Sequence, residues 1–291
     1  MENNFKIVIE LSGGLGNQLF QFGVGIYLLS KLSNVEIRYD KSNFKLETTH
    51  EGFLLNDFIN QARNYNNNCC SFEYKSHLIK KINYAFAWMT NCLCVESVPY
   101  QYQNDLLTKR WIYLSGYWQT YKYLQGNSTI EIINDVLKSK YSNLYHNKDI
   151  KINNKKIIAV HVRRGDYLHN KNIGYGILPI QYYINAMNFI RKKNIECRFL
   201  IFSDDYEYIK KFFDYKDCAI AIDLYESGSA MRDLYLMSIC DGMISANSSL
   251  SWWGGILQES DNVITPTKWF LDRNESQMKD LFPSKWIKIE I

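Results

Sequence analysis

A chain of 291 residues, 46% hydrophobic and 22% charged, is long enough for one large or two ordinary domains and too apolar to stay disordered. Its 34 basic and 30 acidic residues leave a net charge of only +4, which gives no support to a nucleic-acid partner but leaves room for a local basic site. Seven cysteines, an odd number without metal-ligand spacing, read as reduced and mostly buried thiols of a cytoplasmic protein.

FKIVIEL, residues 5 to 11, reads as a first strand that follows Met1 to Asn4 with no secretory leader. The glycine turn SGGLGNQ and the apolar LFQFGVGIYLLSKL come next, a strand, turn and buried helix that open a mononucleotide-type fold. VEIRYD is a second strand ending at Asp40. The dinucleotide fingerprint is incomplete, because Leu19 stands where the third glycine should be.

Residues 41 to 110 carry few signals, and only a helical Ser71 to Val95 is expected there. Within it INYAFAWMTNCLCV, residues 82 to 95, is too short and polar to span a bilayer. It is expected to pack in the core, in preference to lying on an anionic membrane surface. Lys80, Lys81, Phe86 and Trp88 keep peripheral contact with the inner membrane face open as the alternative. RWIYLSGYWQ is a strand running into an aromatic loop, TIEIINDVLKSKY is an amphipathic helix, and the polar stretch Asn143 to Lys156 reads as a linker. The expected domains are therefore 1–150 and 151–291, with the C-terminal segment packing back on the first.

The second half alternates strand and helix through IIAVHVRRGDY, ECRFLIFSDD, CAIAID, DGMISAN and NVITP, the pattern of a parallel sheet covered on both faces. Its ligand edge would collect Arg163, Arg164, Asp166, Asp204, Asp205, Asn247, Ser248 and Ser249. Two adjacent guanidiniums at a strand end favour a diphosphate or carboxylate over a single structural ion pair. Ser248 and Ser249 fall where a helix begins, a place for a phosphate or for a plain N-cap. Asp204 and Asp205 have three readings: metal ligands, partners that orient the arginines, or a helix cap. Charge balance disfavours the metal. Asp233 alone reads as a surface or cap carboxylate. The aromatic share of 15%, with 22 Tyr, suits sugar faces and ordinary cores alike.

GGLGNQLFQ, HVRRGDY, FSDD and SANSSLSWWGG occur here in the order found in the bacterial α-1,2-fucosyltransferases, glycosyltransferase family 11, and the chain resembles that family from residue 13 to 255. The resemblance implies two Rossmann-like domains facing a cleft, the GT-B type, and a metal-independent inverting transfer. L-fucose would pass from GDP-β-L-fucose to the 2-hydroxyl of galactose on a glycan acceptor, in surface polysaccharide or O-antigen synthesis, with no cofactor. By the same resemblance Arg163 and Arg164 bind the donor diphosphate, and His161 and Asp166 match the ends of their motif. Asp233 matches a guanine-recognising carboxylate. Gly14, Gly16 and Asn17 form a loop facing the donor, with Asp204, Asn247, Ser248 and Ser249 on the donor side. Asp166 is the leading candidate base, against an equal structural role beside Arg164. The rival readings are a transferase using another GDP-sugar, a Rossmann NAD-dependent oxidoreductase, and a carbohydrate-binding module that would have no use for paired arginines.

Overall fold

The computed structural model describes residues 5–45, 51–145, 155–169, 176–193, 196–213, 215–225, 229–270 and 278–291, with nothing said of the side chains of Asp166, His169 and Tyr225. It divides into two compact units, Met1–Val136 with Gln277–Phe282, and Leu137–Ser276 with Pro283–Ile291.

In the first unit β1 (Phe5–Glu10) pairs in parallel with β2 (Val35–Asp40), from Phe5 beside Val35 to Glu10 beside Asp40. With β3 (Cys69–Phe72), β4 (Leu93–Val95) and β5 (Tyr113–Ser115) the sheet order is β3-β2-β1-β5-β4. Helix α1 (Leu15–Lys31) is apolar on nearly every face and buries every position from Leu15 to Leu28 except Asn17. Phe20, Phe22, Val24 and Leu28 are essentially inaccessible, each worth roughly 1.5–3 kcal/mol on burial. Helices α2 (Asn56–Asn64) and α3 (His77–Met89) follow, and α4 (Thr129–Tyr141) runs past Val136 into the residues of the second unit. The single helix expected over Ser71 to Val95 is in fact the end of a strand, a helix and another strand. CCSF of β3 pairs with β2, and LCV of β4 pairs with β5, on either side of a 13-residue helix.

The second unit has β6 (Lys156–Val162), β7 (Cys197–Ser203), β8 (Cys218–Ile220), β9 (Gly242–Ile244), β10 (Val263–Pro266) and β11 (Ile287–Ile289), all parallel. Their spatial order, β11-β10-β9-β6-β7-β8, is the 3-2-1-4-5-6 order of a dinucleotide-binding fold, with its switch point between β6 and β9. Among the described residues its helices are α5 (Gly165–His169), α6 (Ile180–Lys192), α7 (Tyr206–Phe212), α8 (Ala221–Tyr225), α9 (Ala230–Ser238) and α10 (Ser249–Leu257). The strand expected over CAIAID stops at Ile220, where the chain turns into α8. The core is built from Ile158, Val160 and Val162 of β6, Phe199 and Ile201 of β7, and Tyr182, Tyr183 and Met187 of α6. Gly254 and Gly255 let α10 settle closely, since a Cβ there would press on Met237 and Val263.

Both units are thus parallel α/β sheets, the parallel sheet that the alternating pattern predicts for the second half and the two Rossmann-like domains that the family resemblance implies.

Candidate functional site

β6, β7 and β9 lie side by side and run the same way, so the segments that follow them emerge along one sheet edge. Those segments are Arg163-Arg164, Asp204-Asp205 and Asn247-Ser248-Ser249. Open parallel sheets take ligands beyond the carboxyl ends of their strands at the switch point, where β6 and β9 meet here.

The two aspartates orient the arginines. Arg163 Nη1 is 2.8 Å from Asp204 Oδ2, and Arg164 Nε donates to Asp205 Oδ2 at 2.9 Å. The Arg164 backbone N–H donates to Asp204 Oδ1 at 2.9 Å, so one carboxylate holds both residues of the pair. Asp205 also caps α7 by accepting from the Tyr208 N–H at 3.1 Å. Its bond to Arg164 is the main reason its pKa lies below the ordinary aspartate value. The Arg164 guanidinium lies 3.6 Å from the Tyr208 ring centroid, a stacked arrangement that fixes its plane. Only Nε of Arg164 enters the carboxylate bond, so its terminal nitrogens stand outside that pair. Both side chains keep partial solvent access, 26% for Arg163 and 18% for Arg164, enough for a small anion to reach them.

Gly165 leaves room for this clamp. A Cβ at that position would stand 2.8 Å from Asp204 Oδ2 and 3.0 Å from its carboxyl carbon, displacing the acid from both arginines. Asp166 follows in α5, and its side chain lies outside the described atoms.

His161 is buried, with no hydrogen-bond partner for Nδ1. Burial first, and the Arg163 charge second, hold its pKa down to about 4, with Asp204 pulling the other way. It is a neutral imidazole beneath the arginines.

Tyr167 ties the arginine segment to the serine segment by donating its hydroxyl to the Asn247 carbonyl at 3.0 Å. Asn247 Nδ2 in turn donates to the carbonyls of Gly176 and Trp269 at 3.0 and 3.1 Å, so this residue organises loops. Tyr182 fastens the same strand end through the Ser245 carbonyl at 2.8 Å. Ser248 occupies the cap position of α10 but makes no capping bond with its side chain, unlike Ser229 before α9, which accepts from the Arg232 N–H. The plain N-cap explanation of Ser248 therefore fails, and the first-turn N–H groups of α10 are not satisfied by it. Asp233 sits half-buried in the first turn of α9, its own N–H bonded to the Ser229 carbonyl.

In the first unit, Gly14 is the cap of α1, and Gly16 and Asn17 lie in its first turn. Gly13 has φ +75°, and a Cβ on it would meet Asn17 Nδ2 at 2.6 Å, so only glycine makes this turn. Asn17 Oδ1 accepts from Gln119 Nε2 at 2.7 Å. Two buried glutamines that sequence reasoning passed over hold the loop. Gln18 donates to the carbonyls of Gly13 and Gly52 and accepts from the Leu54 N–H. Gln21 accepts from the Ser12 N–H and donates to the Gly116 carbonyl. Their signal was present in GNQLFQ, as two polar side chains three apart on an otherwise apolar helix. Glu96 likewise went unnoticed. Its carboxylate accepts from the N–H groups of Tyr117 and Trp118 at 2.8 and 3.1 Å and shapes the aromatic loop, while its own burial raises its pKa.

Among the described residues no group of three or more His, Cys, Asp or Glu is placed to hold a metal ion.

The model for "Glycosyl transferase family 11" matches residues 9–290. An α-1,2-colitosyltransferase of Escherichia coli is 31% identical across 98% of this chain and 99% of its own. An O-antigen biosynthesis glycosyltransferase of Escherichia coli, WbnK, is 30% identical across 96% of this chain and 99% of its own. Among solved structures, the ADP-heptose lipopolysaccharide heptosyltransferase II of E. coli overlays with a TM-score of 0.49 at 10% identity, covering 98% of this chain and 90% of that one.

Proposed function

The chain belongs to glycosyl transferase family 11, and we propose that it is a metal-independent, inverting α-1,2-fucosyltransferase of O-antigen synthesis that uses GDP-β-L-fucose and a galactose-terminated acceptor. The observation that carries the donor side is the convergence of Arg163, Arg164 and an uncapped α10 start on adjacent strands at the switch point. Cleaving a sugar–phosphate bond moves negative charge onto the departing diphosphate. Guanidiniums already held by Asp204, Asp205 and Tyr208 stabilise that charge without reorganising, more in the transition state than in the ground state. The N–H groups of α10 serve the same anion through the helix dipole. His161 stays neutral and supports the strand end, and Asp233 is assigned to the guanine. Gly14, Gly16 and Asn17 are assigned to donor binding. Asp166 is assigned the proton of the acceptor hydroxyl, which must attack from the face opposite the leaving group.

A second donor is favoured by one specific observation, the α-1,2-colitosyl activity in the name of a 31% identical relative. Colitose is fucose without one ring hydroxyl, so the two readings differ by a single hydrogen-bonding group. A site built to bond that hydroxyl would reject the sugar lacking it by a large factor.

A donor-by-acceptor screen with linkage analysis decides. GDP release from GDP-fucose with a β-galactoside, an α-1,2 product, and unchanged turnover in EDTA are expected. Turnover with GDP-colitose alone would replace the donor. Absence of turnover across a broad galactoside panel, or a strict magnesium requirement, would overturn the corresponding part. The enzyme is assigned to the cytoplasm, where nucleotide sugars are at hand.

A further inference from the structure

Helix α3 is built inside out. One of the two residues it buries is a lysine: Lys80 Nζ reaches Glu10 Oε1 at 2.7 Å, Asn43 Oδ1 at 2.7 Å and Asp40 Oδ2 at 3.4 Å. Ala87 is fully buried on the same side, and Tyr84 stands edge-on to Tyr113 with centroids 5.5 Å apart. The expectation that this segment packs in the core is therefore wrong. Its contact face is secured by one ion cluster, a methyl group and a ring, while its apolar residues point away.

Leu78, Ile82, Phe86, Trp88 and Met89 are between 52% and 70% exposed. At 100° per residue, Leu78, Ile82, Ala85, Phe86 and Met89 form one continuous stripe opposite Lys80, with Trp88 and Lys81 along one flank. Together they expose several hundred Å² of apolar surface, more than scattered surface hydrophobics would. The helix is firmly made: Ser76 caps its start by accepting from the Ile79 N–H, and Cys92 closes its end on the Ala87 carbonyl. The stripe is a fixed feature and not a frayed one.

We infer that the outer face of α3 docks this protein on an anionic lipid surface, with Leu78, Ile82, Phe86, Trp88 and Met89 entering the headgroup boundary and Lys75 and Lys81 meeting anionic lipids. Charge complementarity selects this occupant. From Lys75 to Val95 the chain carries no acidic residue, and with Lys80 buried in its ion cluster the exposed charges are Lys75 and Lys81. Two copies of such a face would oppose their own lysines, whereas an anionic bilayer is attracted. A 13-residue helix, about 20 Å long, lies along a membrane and does not cross it. No helix among the described residues is long and apolar enough to cross one. This inference is independent of the donor and acceptor assigned above.

The test is flotation of the full chain with vesicles of equimolar phosphatidylcholine and phosphatidylglycerol, beside pure phosphatidylcholine vesicles. The protein should float with the anionic vesicles and much less with the neutral ones. Phe86→Ser with Trp88→Ser should reduce binding at least about tenfold, and Lys81→Glu at least about fivefold, more at low salt. Circular dichroism and thermal unfolding of each variant should match the wild type, because the replaced side chains are exposed. No flotation on anionic vesicles, equal flotation on both compositions, or equal flotation of wild type and double variant would overturn the inference. So would a dimer in light scattering that the double variant disperses while vesicle binding is absent.

Discussion

Acid should destabilise this protein through one histidine. His161 is 5% exposed, its Nδ1 has no partner, and its pKa is held down from 6.5 to about 4 by burial and by Arg163. A group with a depressed folded pKa contributes its stability above the unfolded value, here above pH 6.5. That contribution is lost as the pH falls toward 4, because the unfolded chain takes up the proton first. The gap between 6.5 and about 4 is worth on the order of 3 kcal/mol in full, with about 2 kcal/mol gone by about pH 5. Urea unfolding of the wild type and His161→Gln, each at about pH 7.5 and about pH 5, isolates this contribution from the carboxylates common to both. With a denaturant dependence of roughly 3 kcal/mol/M, the wild-type midpoint should fall about 0.7 M further than the variant's. Equal acid shifts in the two proteins would refute the argument that a neutral buried imidazole underlies the arginine segment.

Arg163→Ala should lower kcat by about 10²–10³ while leaving thermal unfolding nearly unchanged, since its partner Asp204 still accepts the Arg164 N–H; a collapsed fold would instead make Arg163 structural. Gly165→Ala should push the Asp204 carboxylate aside, weakening GDP binding in calorimetry by tenfold or more at a stability cost of roughly 1–3 kcal/mol. Ser248→Ala should cost less than about 0.5 kcal/mol in a melt, because no capping bond is lost, yet weaken GDP measurably; a loss near 1 kcal/mol would restore the N-cap role. Lys80→Met should destabilise the first unit by about 3–5 kcal/mol, as Glu10 and Asp40 are left without their cation, and a melt within error of wild type would show that water replaces it.

Wherever a single element buries itself on a regular period, its identity was legible in the residues. The β-branched run before Arg163, the apolar α1 and the alternation after residue 155 all express local backbone preference and burial, which spacing reports directly. Pairing the double arginine with the serine-led helix was also legible, because strand ends and helix starts are local events. Between residues 41 and 110 the outcome depended on partners distant in sequence. Cys69 pairs beside Ile37 and Leu93 beside Tyr113, and three- or four-residue strands carry too little period to announce themselves. The roles of Asp204 and Asp205 were open until the fold set β7 beside β6 and turned two acids of three possible uses into the clamp on the arginines. Helix α3 shows the limit most clearly. Its composition specified an apolar helix flanked by lysines, but which face is covered is decided by where Glu10, Asp40 and Asn43 happen to stand. An ion cluster drawn from four separate segments turned the lysine inward and left the hydrophobic stripe facing out.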